Sequence, residues 1–153
     1  MTARQRFVDG LAAAAVGAVV SGAPSTAYAL ATGRPLLEAT EAAGSVVLSS
    51  ETPRSHRALA GIVVHGAVSA WWGLVLSWAL PRGWSRRSMC VGGAAAGLMI
   101  AAVDLGTVGR RVAEIRRLPL VPQIADHALF GAVCGWVLSV SRARAVERRE
   151  HPG

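Results

Sequence analysis

Four side chains bring acid and base together inside otherwise apolar sequence: His65, Asp104, Asp126 and His127. A carboxylate near an imidazole is proton-transfer chemistry, because histidine titrates near neutral pH and a neighbouring carboxylate favours its charged form. Asp126 and His127 are chain neighbours, Asp104 ends an uncharged run, and His65 lies within another. A second set, Arg110, Arg111, Arg116 and Arg117, gathers four guanidiniums in one short segment and suits an anion.

No other reaction is written in the chain. It lacks a Walker phosphate loop, a GxSxG nucleophile turn, an HExxH zinc motif and a dinucleotide fingerprint. Glu38 and Glu41 share a helical face, but such a pair on a connecting segment is ordinarily solvated. Cys90 and Cys134 stand in separate apolar stretches with no CxxC or Cys/His cluster, so neither a zinc nor a redox centre is expected. The expectation is a non-enzymatic protein without a cofactor, acting by helix packing or partner binding, with a small proton-linked transporter or ion or solute carrier using the Asp/His cluster as the alternative.

The elements that must position these side chains are membrane-length helices. Predicted spans cover 10–33, 58–81, 88–109 and 122–141, with an interfacial loop at 34–57 and a basic tail at 142–153. The uncharged runs Gly10 to Gly33 and Ala58 to Pro81 are 24 residues each. At 1.5 Å per residue, either crosses a hydrocarbon core of roughly 30 Å. The third run, Ser88 to Val103, has 16 uncharged residues and the fourth, His127 to Ser141, has 15. Both reach span length only by taking in Asp104 and Asp126, so these carboxylates belong inside or at the edge of the membrane. Pro122 suits the start of the fourth helix. The expected fold is all-α, a polytopic membrane protein with four transmembrane helices packed as one bundle.

Each span carries small residues at every fourth position, hence on one helical face. These rows are Gly10, Ala14, Ala18, Gly22 and Thr26; Gly61, His65, Ser69, Gly73 and Ser77; Gly93, Gly97 and Ala101, with Asp104 on the same face; and His127, Gly131, Gly135 and Ser139. Helices in lipid associate by close backbone approach, so the rows predict the helix contacts. Arg4, Arg6, Pro24 and Ala27-Tyr28-Ala29 also fit a signal peptide cleaved after Ala29. The small-residue stripe favours a retained span instead.

Because successive spans alternate in direction, His65, Asp104, Asp126, His127, Ser25, Thr26 and Tyr28 all fall in the half of the bilayer nearest the first and third loops. A carboxylate at a span centre costs roughly 2.5–3.5 kcal/mol on insertion scales, so it should face the bundle and find a partner. One reading is structural: Asp104 pairs with a histidine or with Arg110 or Arg111, His65 donates to a serine, and Asp126 flanks the fourth helix. The other is a polar pocket that carries protons through Asp and His or collects an anion with the loop arginines. Pro24 kinks the first span beside it and frees a backbone carbonyl.

Composition agrees. Hydrophobic residues make up 52% of the 153, and the net charge of +7 comes from 16 basic residues, all arginine. The arginines lie between apolar runs and at the tails, where cations meet lipid headgroups, so no nucleic-acid partner is expected. The expected partners are the bilayer and either a second copy of the chain or another membrane protein. Nine arginines lie on the side of both termini and the second loop, against seven opposite. Positive charge stays inside, which places both termini in the cytoplasm of a multi-pass protein of the bacterial cytoplasmic membrane. Within the first loop, Leu36 to Leu48 suits an interfacial helix turning Leu36, Leu37, Val46 and Val47 to lipid. Trp84 reads as an interfacial anchor, and Trp71, Trp72 and Trp78 as lipid contacts.

The segments Ser21-Gly22-Ala23-Pro24-Ser25-Thr26, Leu36-Leu37-Glu38-Ala39-Thr40, Asp104-Leu105-Gly106 to Arg110-Arg111, and Pro122-Gln123-Ile124-Ala125-Asp126-His127 together resemble small actinobacterial membrane proteins. That group consists of hypothetical four-span proteins. The resemblance covers nearly the whole chain and implies the architecture without implying an activity.

Overall fold

The computed structural model describes residues 2–150, which contain helices and no strand. In order these are α1 (Ala3–Ser21), α2 (Ala23–Thr32), α3 (Glu38–Gly44), α4 (Arg54–Ala79), α5 (Arg86–Gly106), α6 (Val108–Arg111), α7 (Ala113–Arg116) and α8 (Leu120–Glu150). Four helical segments, Ala3–Thr32, Arg54–Ala79, Arg86–Arg111 and Leu120–Ala145, are long and apolar enough to cross a membrane, and they pack together. The all-α four-helix fold follows the apolar rhythm of the sequence.

Helix ends extend beyond the uncharged runs for local reasons. The Thr2 hydroxyl accepts from Gln5 N–H at 3.2 Å, and the Ser85 hydroxyl accepts from Ser88 N–H at 3.1 Å. Each cap lets its helix begin in a charged flank, so Asp9 lies inside α1. Pro122 falls in the first turn of α8, where its missing N–H is not needed. The arginine-rich segment read as a tail continues α8 to Glu150, since arginine, alanine and glutamate favour helix and no breaker precedes Pro152. Positions 151–153 of that tail lie outside the described residues.

Small residues fill the interior while large apolar ones face outward. Ala13, Ala14, Cys134 and Leu138 are buried, whereas Val19 is 85% exposed, Met99 68% and Val121 78%. Apolar surface on this scale suits a lipid environment, where hydrocarbon solvates what water would not.

The spans meet in the order α4, α1, α8, α5, and α4 scarcely touches α5. Parts of the predicted rows make the contacts, whereas Gly22 and Thr26 of the first row are exposed and Gly61 meets the first loop. A Cβ on Gly93 would overlap Gly131 O, one on Gly97 would overlap His127 O, and one on Gly135 would overlap Met89 O. A Cβ on Gly73 would stand 2.5 Å from Ala14 Cβ and 2.8 Å from Gly10 O. The first span also uses a second face that its row does not include: Ala13, Gly17 and Ser21 are buried, with Gly17 against Phe130 and Cys134 of α8.

In the first loop, α3 is shorter than the expected Leu36–Leu48 helix. Leu36, Leu37, Val46 and Val47 are exposed, but Ala42 and Gly44 are buried. The backbone around Gly44 lies against Arg57 O, and that around Gly61 lies against Thr40 O. Ion pairs of Glu41 with Arg54 (2.9 Å) and Arg57 (3.8 Å) hold α3 to the start of α4.

Candidate functional site

The site is organised by a break in the first span. Pro24 has no N–H to offer Val20 O, and the Gly22 amide turns to that carbonyl instead. Ala18 O, its ordinary helical acceptor, then needs another donor. His65 on α4 supplies it, with Nε2 at 3.1 Å from Ala18 O. On the far side of the break, Asp126 on α8 accepts from Ser25 N–H at 3.0 Å and from the Ser25 hydroxyl. Asp126 therefore caps α2 from another helix, an anion at the positive end of a helix dipole. His65 and Asp126 are glue in this precise sense: each satisfies a backbone group that Pro24 released, and the acceptor for His65 is a carbonyl, not a serine.

Removing either residue has a defined cost. Asp126→Ala strands the Ser25 amide and hydroxyl and is expected to destabilise by about 2–4 kcal/mol. Asp126→Asn keeps one acceptor oxygen and should lose roughly half as much. His65→Ala leaves Ala18 O with only the Ser21 hydroxyl at 3.5 Å, at about 1 kcal/mol. Thermal unfolding in detergent reads all three, and equal melting temperatures for Asp126→Ala and wild type would contradict the capping role.

Asp104 and His127 form the second half of the cluster. Gly97 meets His127 O on the close seam of α5 and α8, and this contact brings Asp104 opposite the His127 ring. Nδ1 of His127 lies 2.8 Å from Gln123 O, one turn back on its own helix. A carbonyl can only accept, so Nδ1 carries a hydrogen and Nε2 is the position that gains or loses one. Nε2 stands 3.7 Å from Asp104 Oδ2, with His127 and Asp104 side chains 24% and 27% exposed. From α4, Trp72 Nε1–H donates to Asp104 Oδ2 at 3.0 Å and to Oδ1 at 3.3 Å. The ordinary lipid-facing role expected for Trp72 is thus replaced by a hydrogen bond that orients the carboxylate.

These groups line a cavity of about 280 Å³ between the α4 and α5 sides of the bundle, walled by Val68, Ile100, Leu105 and Phe130. A second cavity of about 450 Å³ lies towards α2 and the first loop. The two share Ala39, Ala43, His65, Leu118, Gln123 and Asp126, so α3 roofs both and Asp126 stands at their junction. Asp126 is six residues inside the start of α8, about 9 Å at helical rise. Of the predicted residues, the structure gathers His65, Asp104, Asp126 and His127 around these cavities. Arg110, Arg111, Arg116 and Arg117 are exposed, and none lines either one. Arg116 instead donates to Arg110 O at 3.3 Å.

Sequence reasoning missed Trp72, although it lies seven residues beyond His65 and so on the same face. It also missed a polar cluster at the other end of the bundle. Asp9 is 5% exposed, takes a hydrogen bond from Gln5 Nε2 at 2.9 Å, and leaves Oδ2 without a partner. Arg142 on α8 donates to Ser77 O (3.1 Å), Leu80 O (3.2 Å) and Pro81 O (3.0 Å), closing the C-terminus of α4. Both residues sit at the charged margins of spans, where charge usually means a solvated flank. Arg142→Gln should cost about 1–3 kcal/mol, because it exposes three carbonyls at a helix end to partial loss of their donors. A melting temperature equal to wild type in detergent would contradict that capping.

No protein-family model matches the chain, and no curated protein or solved structure matches it.

Proposed function

We propose that this chain is a non-enzymatic, multi-pass protein of the bacterial cytoplasmic membrane that takes up and releases a proton at Asp104 and His127 inside a cavity roofed by its first and third loops. One observation carries the reading. Nδ1 of His127 is committed to Gln123 O, which leaves Nε2 and the Asp104 carboxylate as two acceptors facing each other at 3.7 Å. The pair is neutral overall only when it holds one proton beyond the Nδ1 hydrogen. Intramembrane groups of this kind commonly mark ion or proton paths.

Both termini lie in the cytoplasm in this reading, and the cavity faces the outer half of the bilayer. The bilayer itself is the partner, completing the wall where α4 and α5 diverge. The likeness to small actinobacterial four-span proteins agrees with the architecture and supplies no role. A second reading, in which the whole cluster is structural, draws support from His65 and Asp126, whose hydrogen bonds serve the helix break. It accommodates the Asp104–His127 pair as an ion pair, so the two readings part on whether the proton on that pair exchanges.

The test is proton movement. Purified protein in liposomes with a pH-sensitive dye inside should dissipate an imposed pH gradient faster than protein-free liposomes. Rates indistinguishable from empty liposomes, with folded and inserted protein confirmed, contradict the proposal.

A further inference from the structure

We infer that the smaller cavity binds a primary organic ammonium with an apolar body, and that this cation and a proton on His127 exclude each other; the inference rests on the proton-exchange reading above and names a ligand class for the same site. The argument is an inventory of donors and acceptors. Trp72 Nε1–H is spent on Asp104, His127 Nδ1–H on Gln123 O, Gln123 Nε2 on Pro119 O at 3.4 Å, and His65 Nε2 on Ala18 O. The Ser25 donors are spent on Asp126. One Gln123 N–H and the Ser69 hydroxyl are left over as neutral donors, while the charged capacity that remains at the polar end is that of an acceptor, on Asp104 and on Nε2 of His127. A ligand that fits must bring hydrogens, and beside an aspartate it should bring positive charge.

Charge points the same way. Two carboxylates line the cavity and no arginine does. The nearby guanidiniums on the first loop are themselves paired, Arg34 with Glu38 at 2.7 Å. Trp72, Phe130, Val64, Val68, Ile100 and Leu105 line the rest of it and suit an apolar body. The volume of about 280 Å³ admits a small molecule and not a lipid. A primary ammonium has enough N–H donors to reach both Asp104 and Nε2. The hydrogen on Nε2 must then leave to water, so binding releases one proton while the net charge of the pair and its occupant stays balanced.

Phenethylamine is the probe, titrated calorimetrically into the full-length protein in detergent, with hydrocinnamate as the matched anion. The amine should bind wild type and, where free His127 is protonated, release one proton and weaken about tenfold per unit fall in pH. Asp104→Asn should weaken it at least tenfold, since the counter-charge is gone. His127→Gln should still bind the amine but lose the pH dependence, which keeps the test informative if one variant folds poorly. Equal binding of amine by wild type and Asp104→Asn overturns the inference, and so does binding of hydrocinnamate with similar affinity. Asp104-dependent proton flux without amine binding sinks this inference alone, whereas Asp104-dependent amine binding without flux supports it and removes the exchange reading.

Discussion

Asp104→Asn should abolish proton exchange and leave the fold as stable as wild type or slightly more so. The asparagine carbonyl can still accept from Trp72 Nε1–H, and its amide can donate to Nε2 of the neutral His127 ring. The bonds from Trp72 to residue 104 and from His127 to Gln123 O survive while the charge of the pair and its exchangeable hydrogen vanish. Replacing half-buried charge by neutral groups with satisfied bonds is commonly neutral or stabilising. Functional groups, moreover, are often held at some cost to the fold. Flux in liposomes should fall to the protein-free rate, and the melting temperature in detergent should not fall. A drop matching Asp126→Ala, about 2–4 kcal/mol, would place Asp104 with the structural members of the cluster.

Gly97→Leu should be the most damaging single change in the bundle. Even the first added atom overlaps His127 O, and a backbone carbonyl cannot rotate away as a side chain can. The helices α5 and α8 must part, which gives up the Gly93–Gly131 and Gly135–Met89 contacts on the same seam. Loss of about 3 kcal/mol or more is expected, with exchange lost as well because Asp104 and His127 ride on the separated helices. Gly66→Ala is the control. Nothing lies within 4 Å of a Cβ there, so the helix should gain up to about 1 kcal/mol from the better helix former. If Gly97→Leu and Gly66→Ala melt alike, close packing of α5 on α8 is not what holds the bundle.

The contrast between these positions explains what the sequence could convey. Rows of glycine at four-residue spacing announce close helix contacts, because only backbone approach rewards that pattern in lipid. Gly93, Gly97, Gly131 and Gly135 were legible for that reason. The need of spans three and four for Asp104 and Asp126 was likewise a matter of length. Pairing was not legible. That Asp126 turns to Ser25 while Asp104 faces His127 depends on the rotation of α8 between α1 and α5, which no single span encodes. The partners of His65 and Asp126 are backbone groups freed by Pro24, and backbone atoms have no sequence signature. Trp72 had a signal in its spacing from His65, but an indole in an apolar helix reads first as a lipid contact. Asp9 and Arg142 were hidden because a charge at the margin of a span looks the same whether it is solvated or buried.

The central claim is that Asp104 and His127 hold one exchangeable hydrogen at Nε2. Nitrogen NMR of the full-length protein, labelled at the histidine rings, reads it directly. The account predicts that Nδ1 of His127 keeps its hydrogen, that Nε2 alone exchanges one, and that this exchange changes in Asp104→Asn. A ring protonated at Nε2 in its neutral form, or a titration indifferent to Asp104→Asn, would contradict it.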